Sequence, residues 1–174
     1  DDGVLTVYGT VEVSESAGLN FYDGTLTLAG GGALTIEASD SNSAVSGSPQ
    51  STLTTADEFS GNIILESANA PAVQNVKLDL TTGGSIRISS AKNSAVNTPQ
   101  NPVTLKGGTV TIETTANSAV SVSTVAAPSL NVTAGGDVTI TGNGNLPLIA
   151  GDSGKECAVT LNAGGNVEIG NKSG

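Results

Sequence analysis

Few side chains in this sequence have the chemistry for nucleophilic or acid–base catalysis. The 174 residues contain no histidine, one cysteine at Cys157 and one arginine at Arg87. Catalytic arrangements that use histidine, such as Ser–His–Asp and Cys–His, are therefore excluded, and so are zinc sites that depend on histidine. Because a lone cysteine has no intrachain disulfide partner, we interpret Cys157 as a buried or loop thiol.

Carboxylates are the remaining candidates for acid–base chemistry, and one adjacent pair besides Asp1–Asp2 occurs, at Asp57–Glu58. Glycosidases hold two carboxyl groups roughly 5 to 10 Å apart and raise the pKa of one of them in a dry pocket. We interpret Asp57–Glu58 as solvated loop charges. We therefore predict no catalytic residues.

Patterns that bind metals or phosphates are also absent from the sequence. Neither the Asp-x-Asp-x-Asp-Gly calcium loop nor the Gly-Gly-x-Gly-x-Asp repeat occurs, and the oxygen-rich turn Asp40–Ser41–Asn42 is isolated. The Gly-Gly pairs are not followed by Lys-Ser/Thr or by a helical pattern, so they do not form a phosphate-binding loop. We predict no metal site and no cofactor.

A repeat of short apolar doublets predicts the strands that would position any site. Each doublet consists of two apolar residues separated by one residue. The second members of successive doublets lie 23 to 29 residues apart, which is the range of a solenoid coil. The seven doublets are Val11/Val13, Leu34/Ile36, Ile63/Leu65, Ile86/Ile88, Val110/Ile112, Val138/Ile140 and Val167/Ile169. We predict that Ile36, Leu65, Ile88, Ile112 and Ile140 form one inward stack.

Two further strand-like patches accompany each doublet. One apolar position lies about eight residues upstream and is filled by Leu5, Leu28, Leu80, Leu105, Val132 and Leu161. A third patch, such as Ser94–Ala95–Val96, follows about eight residues downstream. The sequence predicts an all-β fold: a single-domain, right-handed parallel β-helix over residues 1–174, with about seven coils and three short strands per coil. Its tight corners are expected at the glycines and at Asn42, Asn93 and Asn117.

Charge and hydropathy limit the partners. Sixteen acidic and six basic residues leave a net charge of −10, which repels nucleic acid and anionic membrane surfaces. No apolar run approaches the ~20 residues of a membrane span. No leader precedes Asp1, so we expect that a leader has been removed or lies outside this sequence. Open β-helix ends expose unpaired strands, so we also expect end-to-end self-association and a larger parent protein.

A β-helix also invites comparison with polysaccharide-degrading enzymes built on the same architecture. Lyases of that kind use a basic residue to remove a proton and carboxylate-bound calcium to neutralise the uronate. Here Arg87 lies in the outward row of a doublet strand, with Glu66 and Glu113 on neighbouring coils. We interpret these three residues as a surface charge ladder, since exposed ion pairs are ordinary on strand faces. A lyase-like or hydrolase-like enzyme, or a fragment of one, remains the alternative function.

One coil unit carries a resemblance to known proteins. The segment Val103 to Glu113, followed by Asn117–Ser118–Ala119–Val120, resembles the coil of bacterial secreted and surface β-helix proteins of the carbohydrate-binding-domain type. The resemblance covers about coils two to seven and implies an extracellular or cell-surface bacterial protein. Its partners would be polysaccharide or a host surface protein. We therefore expect a non-catalytic, adhesin-like or carbohydrate-binding module.

Ligand-binding residues are expected where long connections leave the rod, because binding residues concentrate on loops of rigid scaffolds. We predict that the returns Ser46 to Gly61 and Ala150 to Cys157 emerge on one edge and together form a site. Their charged residues are Asp57, Glu58, Asp152, Lys155 and Glu156. Tyr8 and Tyr22 form a competing site for sugar stacking, with Phe59 as a further aromatic candidate.

Overall fold

The computed structural model describes residues 2–14, 16–122, 129–143, 146–151 and 157–171. Within these residues the chain forms 20 β-strands and no helix. All strand pairs are parallel, and each strand pairs with its equivalent in the adjacent coil. The prediction of an all-β parallel solenoid with three strands per coil is confirmed.

The strands form three sheets, each named here by its strands. Sheet 1 contains β1 (Gly3–Thr6), β4 (Gly24–Ala29), β7 (Ser51–Thr55), β10 (Lys77–Thr81), β13 (Val103–Gly107), β16 (Leu130–Ala134) and β19 (Val159–Ala163). Sheet 2 contains β2 (Val11–Val13), β5 (Leu34–Ala38), β8 (Ile63–Ser67), β11 (Ile86–Ser90), β14 (Val110–Thr114), β17 (Val138–Gly142) and β20 (Val167–Asn171). Sheet 3 contains β3 (Leu19–Phe21), β6 (Val45–Gly47), β9 (Val73–Gln74), β12 (Val96–Asn97), β15 (Val120–Val122) and β18 (Leu148–Ala150).

The chain turns at three corners in each coil. The first corner joins sheet 1 to sheet 2, the second joins sheet 2 to sheet 3, and the third returns the chain to sheet 1 of the next coil. The described strands make six full turns and the first two strands of a seventh. Because residues in register lie about 4.8 Å apart along the axis, each coil position generates a column of side chains.

Inward columns form the core. In sheet 2 the register aligns Ile36, Leu65, Ile88, Ile112 and Ile140, and each is 0 % exposed. The predicted stack is therefore confirmed. In the strands of the central coils buried and outward residues alternate, as the two-residue period of a strand requires.

A second inward column, at the end of the sheet 2 strands, consists of hydroxyl residues. Ser67, Ser90 and Thr114 are in register and buried. Each donates a hydrogen bond to a carbonyl at a second corner: the Oγ of Ser90, for example, lies 2.8 Å from the Ala70 oxygen. Each hydroxyl also accepts a backbone N–H of its own corner. These bonds satisfy backbone groups that the change of direction removes from the strand ladder.

Glycine is required where first corners stack closely. A Cβ atom at Gly61 would overlap the carbonyl oxygen of Gly32 in the coil before it, and a Cβ atom at Gly32 would overlap that of Gly9. The residues Asn42, Asn93 and Asn117 lie at second corners, as predicted, but the left-handed backbone conformation occurs at other non-glycine residues. Among the described residues these are Asp23, Asp40 and Asn75.

The prediction that Ser46 to Gly61 is one long return is wrong. Its middle, Ser51–Thr55, is the sheet 1 strand of coil three. The strand escaped notice because Thr55 lies in register with Leu28, where other coils carry an apolar residue, while Leu53 pairs with Leu26 in the adjacent column. The true excursion is shorter and lies at the first corner, between Thr55 and Ile63.

The outermost strands are less protected than the central ones. Val4 is 69 % exposed, and Val167 and Ile169 are each 48 % exposed. End-to-end self-association remains a prediction. In the described ranges, no helix has the length and apolar character of a membrane span.

Candidate functional site

A groove of about 440 Å³ runs over the outer face of sheet 2, beside the second corner. It spans β5, β8, β11 and β14, and residues of the buried hydroxyl column, Ser67, Ser90 and Thr114, contribute to its lining. Its charged residues are Glu37, Glu66, Arg87 and Glu113. Ser89 and Thr115 add hydroxyl groups to its lining.

The strand register places these charges over one another. Glu37, Glu66, Ser89 and Glu113 occupy successive positions of one outward column. Arg87 lies two residues before Ser89 in the same strand, and its guanidinium reaches both Glu66 and Glu113. Glu66 and Glu113 are two coils apart, so their backbones are separated by about 10 Å.

Arg87 bridges the two carboxylates. Its Nη1 lies 2.8 Å from Glu66 Oε1, and its Nη2 lies 2.7 Å from Glu113 Oε1. Its Nε also donates to Glu113 Oε1, at 3.1 Å. The hydrogen bond with Glu113 raises the pKa of Arg87, burial opposes the rise, and the charges of Glu66 and Glu113 add to it. Arg87 therefore stays protonated.

The two carboxylates are held differently. Glu113 accepts two aligned hydrogen bonds from Arg87. Glu66 Oε1 is buried and is in ionic contact with Arg87, but the contact lacks the alignment of a hydrogen bond. The Arg87–Glu66 attraction is therefore mainly electrostatic. Arg87 shields that oxygen from a ligand, although the Glu66 side chain as a whole is 28 % exposed.

The polar groups of the groove determine which ligands it can bind. Three carboxylates and one guanidinium lie beside neutral hydroxyls, a composition that can hold the hydroxyl groups of a sugar. Among the residues that the structure describes, no three His, Cys, Asp or Glu side chains are grouped as a metal site requires.

Part of the predicted loop site falls outside the described residues. Asp57 and Glu58 are exposed at a first corner, between β7 and β8. Asp152, Lys155 and Glu156 lie outside the described residues. The described strands before and after them, β18 and β19, belong to sheet 3 and sheet 1. A joint site of the two connections stays a prediction.

The two tyrosines also lie at different corners of the first coil. Tyr8 is 89 % exposed at the first corner, between β1 and β2. Tyr22 is 70 % exposed at the third corner, directly after β3. Both are accessible for stacking on a ligand. Phe59 is 2 % exposed and belongs to the core, so it offers no such surface.

Sequence reasoning identified part of the groove and missed the rest. The contacts of Arg87 with Glu66 and Glu113 agree with the predicted charge ladder. Glu37 was overlooked, although it directly follows the doublet Leu34/Ile36 just as Glu66 and Glu113 follow theirs. An alignment of the residues that follow each doublet would have found the column.

Comparisons with known proteins add no family to this description. No family model matches the chain, and no curated protein or solved structure matches it. The β-solenoid fold is established by the strand pairing alone, and no match supports the resemblance to bacterial carbohydrate-binding β-helix proteins.

Proposed function

We propose that this chain is a non-catalytic β-helix module of an extracellular or cell-surface bacterial protein, serving as a carbohydrate-binding or adhesin-like scaffold. The observation that carries the proposal is the state of Arg87. The only arginine of the chain is bound by two carboxylates in the groove, so it is suited to hold a ligand and unsuited to remove a proton.

The same arrangement disfavours the alternative of a polysaccharide-degrading enzyme. A lyase base must be unprotonated, whereas the contacts with Glu113 and Glu66 raise the pKa of Arg87. An inverting hydrolase needs room for water between two carboxyl groups roughly 6.5 to 9.5 Å apart. Glu66 and Glu113 have about that backbone separation, but the guanidinium of Arg87 lies between them.

The groove is well suited to binding. The backbone beneath it belongs to four hydrogen-bonded strands, so its polar groups are held in place before a ligand arrives. Neighbouring hydroxyls of a sugar can donate to Glu37 or Glu66 and accept from Ser89 or Thr115. The net charge of −10 favours neutral over anionic glycans.

A combined binding and cleavage assay tests the proposal. The purified chain is incubated with a panel of neutral and acidic polysaccharides. Retention is measured by affinity electrophoresis, and cleavage by new reducing ends and by the ultraviolet absorbance of unsaturated products. We expect retention of at least one polysaccharide without products.

Two variants make the assay specific to the groove. Glu113→Gln removes one charge that holds Arg87, and Glu168→Gln removes a charge from the same sheet outside the groove. Products that form with the parent and disappear with Glu113→Gln alone would establish the enzyme alternative. If the parent neither binds nor cleaves any polysaccharide, the carbohydrate role is wrong.

A further inference from the structure

Sheet 3 presents an outer face of a different chemical character from the groove. Its central outward column consists of Asn20, Ser46, Gln74, Asn97 and Ser121, in register over consecutive coils. The column continues to Ile149 on the last strand of the sheet. The five polar residues span about 19 Å, and each side chain is an amide or a hydroxyl.

Most of these polar groups are available to a ligand. Within the described structure, the side chains of Asn20, Ser46, Asn97 and Ser121 make no hydrogen bond. Gln74 accepts one long bond, of 3.4 Å, from Ser43. The inward neighbours of the column, such as Val45 and Val96, are fully buried, so the alternation of the strand turns the polar residues outward.

The strands of sheet 3 carry no Asp, Glu, Lys or Arg. The strands of the other two sheets carry nine such residues: Glu12, Glu37, Glu66, Lys77, Asp79, Arg87, Lys106, Glu113 and Glu168. Charged residues beside sheet 3 lie in its corners, where Asp23, Asp40 and Lys92 are exposed. The Asp23 carboxylate accepts a hydrogen bond of 2.6 Å from Ser48.

A recess and an exposed ring lie at one end of the column. The recess measures about 240 Å³ and is lined by seven small or polar residues: Ser16, Ala17, Gly18, Asn20, Asn42, Ser43 and Ser46. Asn42 Nδ2 donates to the Ser16 carbonyl at 2.6 Å, which holds one wall. Tyr22 follows directly after the strand of Asn20 and is 70 % exposed.

We infer that this face binds a neutral polysaccharide chain, with Tyr22 and the recess at one end and the amide–hydroxyl column along its length. The inference rests on the proposed carbohydrate-binding function and deepens it by naming a ligand class and a second surface. Free amides donate to and accept from sugar hydroxyls, and an aromatic ring covers the apolar face of a sugar. Because the strands of this face carry no charged side chains, binding does not require that charged groups of the protein lose their hydration.

Binding is measured by calorimetry with cellohexaose and mannohexaose, and with an oligogalacturonate as the anionic comparison. The double variant Asn20→Ala/Asn97→Ala removes two unpaired amides, and we expect about 25-fold weaker binding of the neutral oligosaccharide, about fivefold per lost hydrogen bond. Tyr22→Ala should weaken binding by about tenfold. Chemical-shift changes in amide NMR spectra should concentrate on sheet 3.

Matched controls lie on other faces of the same rod. Asn131→Ala removes a half-buried amide from the outer face of sheet 1, and Tyr8→Ala removes the still more exposed ring at the first corner. We expect both controls to bind as the parent does. Melting temperatures within a degree or two of the parent establish that all variants are folded.

The outcomes separate this inference from the proposed function. If the parent binds a glycan and the sheet 3 variants bind it equally well, the sheet 3 inference is wrong and the module still binds carbohydrate. Preference for the oligogalacturonate would also overturn it. If the parent binds none of the oligosaccharides but retains other polysaccharides in the electrophoresis assay, the inference alone is wrong.

Discussion

Replacing Ile112 with Asp should disrupt the rod, because this residue lies in the middle of the sheet 2 stack. Ile112 is 0 % exposed and pairs with Ile88 on one side and Ile140 on the other. Neither these neighbours nor any other residue of the column could pair with a carboxylate. The new side chain would have to be buried without a hydrogen-bond partner or force the coil open.

The expected loss is large compared with the stability of a domain. Truncating a buried isoleucine costs about 2 to 5 kcal/mol through lost transfer energy and the cavity left behind. A buried carboxyl without a partner adds at least about 1 to 3 kcal/mol. The total is about 3 to 8 kcal/mol, which approaches the roughly 5 to 15 kcal/mol that stabilises a typical protein. We expect the variant to be largely unfolded.

The same column contains a control for this prediction. Ile169 pairs with Ile140 in the outermost strand and is 48 % exposed, so Ile169→Asp keeps its carboxylate near water. Urea denaturation followed by circular dichroism should show a loss of about 1 kcal/mol for this variant. Equal losses for Ile112→Asp and Ile169→Asp, or a melting temperature for Ile112→Asp within a degree or two of the parent, would show that the register is wrong.

Three further predictions follow from the corners and the groove. Ser90→Val should lower the free energy of unfolding by about 1 to 3 kcal/mol, because two backbone groups lose their hydrogen-bond partner. Ser90→Thr should be nearly neutral, since Thr114 fills the equivalent position of the next coil. Urea titrations of both variants measure these differences. Arg87→Met should lower the free energy of unfolding by at most about 1 kcal/mol at low salt, because the Arg87–Glu66 ion pair is partly exposed. In 1 M NaCl the unfolding free energies of the variant and the parent should lie closer together, because salt screens the pair. Gly61→Ala should destabilise the chain by about 1 to 3 kcal/mol, because the new Cβ atom overlaps the preceding coil. Gly9→Ala should not destabilise it, because there the added methyl group meets open space. Thermal melts in which both variants match the parent would contradict the close stacking of first corners.

The core could be predicted from sequence because the same short pattern of apolar residues recurs in each coil. Doublets such as Val110/Ile112 alternate with outward residues, and their spacing survives insertions at the corners. The prediction failed at one strand in which a polar residue stands at an apolar position of the pattern. Thr55 occupies a position that is apolar in other coils, so the strand Ser51–Thr55 was assigned to a loop and the corner of Asp57 and Glu58 was misplaced.

The candidate surfaces were harder to predict, because their members lie on separate coils and meet only through the register. Glu37, Glu66 and Glu113 are far apart in sequence and share a column only because intervening corners have particular lengths. A slip of one residue would turn a strand's side chains to the opposite face. The conformations of Asp40 and Asn75 likewise depend on how successive corners stack.

By itself the sequence determined the fold class, the inward stacks and the absence of histidine chemistry, because these follow from residue types and from a period repeated within each coil. The tertiary structure alone decided that Glu37 shares a column with Glu66 and Glu113, that Phe59 is buried, and that Asn20 and Asn97 share an uncharged face. The physical reason is that outward side chains carry no periodic hydrophobic signal. Their neighbours are set by strand register and by the corner of each coil, which are properties of the stacked chain.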